Sequence, residues 1–348
     1  MGSDIFRLRS RIALNAKGFE MFGTKSGLRL ISSIVVIATA IVGPATAANA
    51  LAPNPFSKTL NFLQGSFSGN RFIEGFTPGQ ADFGFTMEAL LQRKALGDTT
   101  QSFKFAAAYS LQNPNLSGNF STRNGFLFNS AGAVNYPLAG KFAFVSAVLK
   151  ADNRDLRNSV LSSMVKNIKA SGDLKGMTPT TFDRSWVMLG LAANGRTAAA
   201  RQVATALIGG QLKDGSFNDG YTLEEGSTDG TGIALQALAT VSNQGSNDFR
   251  SKVTAAKAKA VKWLQSTIQS GDHWESWGDY NINGTAYAVM GLKASGVAAD
   301  KMIAWLKSKI ATDGGFTTSW SNGAGDIYAT AQAVVPALGK SYLDLLPR

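Results

Sequence analysis

From Thr59 to the C-terminus the hydrophobic pattern alternates between two kinds of helical stretch. In residues 251–270, Val253, Ala256, Ala260, Leu264 and Ile268 recur at helical spacing on one side while Lys252, Lys257, Lys259 and Lys262 take the others, which predicts a helix with one wet face. Residues 233–241 (IALQALATV) and 286–292 (AYAVMGL) are nearly apolar all round, with Ala and Gly where another helix must come close, and predict helices buried on every side. A Gly-rich turn closing on an aromatic joins the wet helix to the buried one, and the whole unit occurs six times. Its clearest copies are 206–241, 260–296 and 302–339. A period in the forties or fifties built from paired helices means that no unit buries its own apolar face, so neighbours must stack.

Six such hairpins predict an all-α fold, an α6/α6 double-layered toroid whose inner helices run parallel and bring their N-termini to one mouth. Each inner helix opens on a polar residue suited to capping free backbone N–H groups: Asp82, Asp183, Asp229, Asn283 and Asp326, with Thr86, Thr231, Thr285 and Thr330 just behind several of them. The second unit departs from this, its inner helix starting near Gly140 without an acidic cap. The converging helix dipoles would offer donors to a ligand carrying acidic or carbonyl groups.

Charge and the first fifty residues narrow the setting. A basic stretch ending at Arg29, the apolar run 30–42 and the sequence PATAANA read as an export signal over residues 1–50, with Met21 as an alternative start, and the run is too short to span a bilayer. Residues 51–348 then form one domain, secreted or held at the cell surface, with no membrane span. Residues 1–50 hold six Lys/Arg and two Asp/Glu, which leaves 28 basic and 21 acidic residues and a formal charge of +7. The lysines sit singly on helices, so the surplus reads as a solvated face and not as a nucleic-acid surface. There is no cysteine, hence no disulfide and no thiolate metal site.

The turn Gln211-Leu-Lys-Asp-Gly-Ser-Phe217 resembles the Gln-x-x-x-Gly-x-aromatic end of the repeats in the α/α-toroid superfamily of terpenoid cyclases and protein prenyltransferases, and Asp313-Gly-Gly-Phe316 is a weaker copy. Within it, residues 231–238 (TGIALQAL) and 326–344 (DIYATAQAVVPALGKSYLD) are similar to the helical domain of the cobalamin carriers intrinsic factor and transcobalamin. That resemblance implies the ring, with a corrinoid as a possible ligand and no other cofactor. It also implies that Gln332 lies on a ligand-contacting helix, and it matches Asp183 and Asp326 to polar helix starts.

Much of the superfamily's chemistry is missing. With no cysteine and the single His273, the prenyltransferase zinc site cannot be built, and the Asp-x-Asp-Asp acid, the Asp-Asp-x-x-Asp magnesium cluster and the Cys-Gly-Glu-Gln thioester are absent. The preferred expectation is an exported, non-catalytic binding protein that takes a small molecule at the mouth through Asp183, Asp229, Trp277, Tyr280, Asp326, Tyr328 and Gln332. Trp277 and Tyr280, beside Glu275 and Asp279, suit stacking on a sugar or planar ring. The alternative is a secreted enzyme on the same ring, either a terpenoid-processing one or a carbohydrate-active hydrolase or lyase using Glu225, Glu275 or Asp279, with Glu224 and Asp229 close by. A scaffold bound by a cell-surface partner is the third.

Overall fold

The computed structural model describes residues 56–112, 127, 134–176 and 178–347. The export signal expected over residues 1–50 lies outside them, as does most of the connection between the first two units. Among the described residues twelve α-helices follow one another: α1 Ser57–Gly65, α2 Phe83–Ala95, α3 Gln101–Leu111, α4 Tyr136–Leu149, α5 Arg154–Lys166, α6 Thr181–Ala193, α7 Thr197–Gly209, α8 Thr228–Ala239, α9 Asn247–Thr267, α10 Ile282–Ala294, α11 Asp300–Ser308 and α12 Ile327–Ala337. The only named strands among the described residues are β1 Glu275–Ser276 and β2 Asp279–Tyr280, an antiparallel hairpin; a 3-10 helix, Tyr342–Leu345, ends the chain. No helix among the described residues is long and apolar enough to cross a membrane.

The odd-numbered helices form the outer wall and the even-numbered ones the inner wall. In α9 the buried side chains are Val253, Ala256, Ala260 and Leu264, a single stripe, whereas α8 is buried without a break from Gly230 to Leu238. Each inner helix packs against the next, and α12 packs against α2, so the inner wall closes on itself. Close approach is achieved with glycine. A Cβ on Gly232 of α8 would collide with the Tyr287 carbonyl group of α10, and one on Gly291 would lie 2.6 Å from Gly232 O. Gly140 and Gly190 make the same kind of contact between α4 and α6. Gly232, the fifth residue of α8, thus meets the sixth and tenth residues of α10, and Gly140 of α4 meets α6 at the same two positions.

The Gly-rich turns lock each unit to the next. Gln211 Nε2 donates to Gly215 O and to Ala256 O of α9, both at 2.8 Å, and Gly215 holds a left-handed φ of 96° where a Cβ would sit 2.8 Å from Lys259 O. Gly314 has the same φ and packs on the backbone of Lys58 in α1, which ties the last unit to the first. A threonine one turn into four inner helices accepts from the backbone N–H at the turn: Thr86 from Ile73, Thr231 from Phe217, Thr285 from Trp274 and Thr330 from Phe316, at 2.8–3.1 Å. All four threonines are fully buried.

Three expected caps are corrected. The side chains accepting the first-turn N–H groups of α6, α8 and α10 are Thr180, Ser227 and Asn281, while Asp183, Asp229 and Asn283 lie inside the first turn. Asp183 completes a capping box by accepting from Thr180 N at 2.7 Å. Asp82 and Asp326 do cap α2 and α12. The second inner helix starts at Tyr136 and not near Gly140, because Pro137 is tolerated in a first turn that needs no donor there.

Candidate functional site

The lumen is filled at the level of the sixth residue of each inner helix. Glu88 of α2 forms an ion pair with Lys141 of α4 and accepts from the Tyr287 hydroxyl of α10 at 3.0 Å. Since α2 and α10 are not neighbours, that bond spans the ring. Lys141 also donates to Gly84 O at 3.2 Å and sits 4.7 Å from the centre of the Trp186 ring of α6. From the helices' C-terminal end Tyr342 enters, fully buried, its ring 5.7 Å from Trp186 and 6.4 Å from Tyr287, and its N–H donating to Gln236 Oε1 at 3.1 Å. Burial, reinforced by the Glu88 charge, raises the Tyr287 and Tyr342 hydroxyls well above the usual tyrosine value, so both stay protonated donors.

One turn nearer the N-termini lies a second layer, partly exposed: Phe85, Leu138 and Phe182 on α2, α4 and α6, then Asp229, Asn283 and Tyr328 on α8, α10 and α12. Half of this floor is apolar and half is polar, in consecutive arcs. Phe182 meets the Tyr287 ring edge-on at 5.6 Å, and Phe85 meets Tyr328 at 4.7 Å. Asn283 Nδ2 donates to Tyr328 O at 3.2 Å and Gln332 Oε1 at 2.5 Å, while the Tyr328 hydroxyl donates to Glu74 O at 3.0 Å. The six side chains of this layer are half-buried on the side of the N-terminal mouth, and the space before them is termed the vestibule.

Asp229 is the unusual group. Its carboxylate reaches the start of α10, so close that a Cβ on Gly284 would be 2.8 Å from Oδ1. Burial, helped by the charge of Asp219, pushes its pKa up to about 6, against the hydrogen bond from Asn281. Burial also raises Asp183, which is committed to its capping box.

The expected ligand set divides. Asp229 and Tyr328 stand in the second layer and Gln332 in the filled layer beneath it, bonded to Asn283; Asp183 and Asp326 serve their helix starts. Tyr280 turns outward, its ring 5.7 Å from Trp305 of α11 with Lys309 Nζ 4.0 Å from its centre, so it belongs to the outer wall. Trp277 stands on the hairpin tip, 85% exposed. Phe85, Leu138, Phe182, Glu88 and Lys141 were not anticipated as site residues. The signal for the last two was a lone acid in FTMEALL and a lone lysine in AGKFAFV, both inside otherwise apolar inner helices. Glu224, Glu225, Glu275 and Asp279 are exposed on rim loops, and Glu275 lies 3.6 Å from His273 Nε2. The mouth donors expected to be free are largely taken, because side chains accept from the first turn of five inner helices. A separate cavity of about 680 Å³ opens on the outer wall, lined by Val165, Lys166, Arg196, Thr197 and Gln202 among others.

No protein-family model and no curated protein matches the sequence. Solved structures do. Unsaturated glucuronyl hydrolase from Bacillus sp. GL1, responsible for the degradation of glycosaminoglycan, superposes with a TM-score of 0.54 at 12% identity, over 82% of this chain and 94% of that one. Haptocorrin in complex with Cbi gives 0.55 at 14% identity, over 84% of this chain and 67% of that one. A mutant of unsaturated glucuronyl hydrolase from Streptococcus agalactiae gives 0.53 at 12% identity, over 82% and 89%. The chain has the α/α-toroid fold of these proteins, and at such identities fold is what the likeness establishes.

Proposed function

We propose that this is an exported binding protein that holds a small molecule in the vestibule at the N-terminal mouth and does no chemistry on it. The observation that supports this reading is the division of the floor into an apolar arc, Phe85, Leu138 and Phe182, and a polar arc, Asp229, Asn283 and Tyr328, above a lumen already filled by its own side chains. A concave, two-faced floor with few convergent polar groups is the usual form of a small-molecule site. The ligand it suits has a flat or apolar body and one edge rich in amides or hydroxyls. A corrinoid, the ligand class implied by the carrier resemblance, has such edges. Titration with hydroxocobalamin and cobinamide, followed by corrinoid absorbance, tests that version; an unchanged spectrum at high micromolar protein removes it and leaves a different two-faced ligand.

A second reading follows from Asp229. A carboxyl that titrates near 6 is poised to donate a proton at neutral pH, which suits the general acid of a hydrolase. Turnover of unsaturated glucuronyl disaccharides, abolished in Asp229→Asn with folding intact, would establish that reading in place of the first.

A further inference from the structure

Among the described residues seven large apolar side chains are exposed, and five of them sit on loops that lead into inner helices: Phe76 before α2, Tyr221 and Leu223 before α8, Trp277 before α10 and Trp320 before α12. In ring order α8, α10, α12 and α2 are consecutive, so these side chains form one arc of the mouth's rim. Phe76 stacks on Tyr328 at 5.5 Å and joins the arc to the vestibule floor. Trp277 and Gly278, at left-handed φ of 55° and 84°, are the two turn residues of the hairpin, and the turn places Trp277 at its tip.

The same arc is acidic in a chain whose formal charge is +11. Residues 268–281 carry Asp272, Glu275 and Asp279 with no lysine or arginine, and residues 210–227 carry four carboxylates against the single Lys213. Glu275 and Asp279 flank Trp277 on the two strands of its hairpin. On the outer-wall side of this hairpin the chain's own Lys309 already lies over aromatic faces, its Nζ 4.0 Å from the Tyr280 ring and 4.9 Å from the Trp305 ring. Carboxylates around aromatic faces attract ammonium and guanidinium groups and repel anions.

We infer that this arc docks a basic polypeptide segment, which lays lysine or arginine side chains across Trp277, Tyr221 and Trp320 and pairs them with the neighbouring carboxylates. Aromatic side chains bury about 150–250 Å² each when fully covered, so five exposed large side chains supply on the order of 800 Å², one partner's share of a standard protein interface. Enrichment in Trp, Tyr and Phe is the composition of such interfaces. The inference concerns the rim and does not depend on what fills the vestibule.

Fluorescence anisotropy with the full chain and a labelled peptide of alternating arginine and leucine tests it, beside a peptide with glutamate in place of arginine and the neutral sugar cellohexaose as competitor. The basic peptide should bind at low micromolar concentration in about 0.15 M salt and weaken as salt rises. Trp277→Ala with Trp320→Ala should weaken it about tenfold or more at an unchanged melting midpoint, and Glu224→Gln, Glu225→Gln and Glu275→Gln together should flatten the salt dependence. The acidic peptide should not bind. No binding of the basic peptide, equal binding by the aromatic double variant, or displacement by cellohexaose would each overturn the inference.

Discussion

The Tyr287 hydroxyl donates to Glu88 Oε2 at 3.0 Å across the lumen, between two inner helices that are not adjacent in the ring. With Lys141 on its other oxygen, Glu88 is the point through which three inner helices are tied. Burying an ion pair is favourable only when its remaining bonds are made, and here Tyr287 makes one of them. Glu88→Gln strands the buried ammonium of Lys141 and should cost about 3–5 kcal/mol in urea unfolding; Tyr287→Phe, which removes a single donor, should cost about 1–3 kcal/mol. Equal costs for the two would show that the charge pair is not the stronger tie.

Close helix contact should make Gly232 intolerant of even one carbon. Gly232→Ala forces α8 and α10 apart, and overpacking of this kind costs about 1–3 kcal/mol. Gly296→Ala is a comparison: the site has open space, and only its φ of 75° is strained. The larger fall in unfolding midpoint should belong to Gly232→Ala.

The threonine ties should be separable from burial. Thr231→Val keeps the shape but leaves the Phe217 N–H buried without its acceptor, at a cost of about 1–3 kcal/mol. Amide hydrogen exchange at Phe217 should then quicken more than at the centre of α8.

Asp229 predicts a specific pH dependence. Its folded pKa, about 6, is above the ordinary carboxylate value of 3.8, so the folded state holds the proton more tightly than the unfolded chain. The contribution from this group is fully present below pH 4 and is lost as pH rises toward 6, an effect on the order of 2–3 kcal/mol. Asp229→Asn escapes that loss. It should be more stable than the parent at pH 7 and lose most of the advantage at pH 4; a gain that does not change with pH would contradict the buried-carboxylate account.

The ring was legible because inner and outer helices bury different fractions of their surface, and the spacing of Val253, Ala256, Ala260 and Leu264 records that directly. Fold comparison bears this out. Caps were less legible, since a cap accepts from an N–H three residues on and Ser227 or Asn281 does this as well as the nearby Asp229 or Asn283 that drew attention. The sequence offers Tyr280 with Trp277 as a stacking surface beside Glu275 and Asp279, but the Tyr280 ring packs on Trp305 while Trp277 stands exposed at the hairpin tip. The vestibule floor was hidden for another reason. Phe85, Leu138 and Phe182 read as ordinary core in an apolar helix, and only ring closure leaves them partly open.

If the mouth holds a ligand between Phe182 and Asp229, crystals soaked in turn with cobinamide, an unsaturated glucuronyl disaccharide and small aromatic amides should show density for at least one of them in the vestibule, its flat face on Phe182 and its polar edge toward Asp229 and Asn283. Ligands found only elsewhere, with the floor of the vestibule under bulk solvent throughout, would contradict that placement.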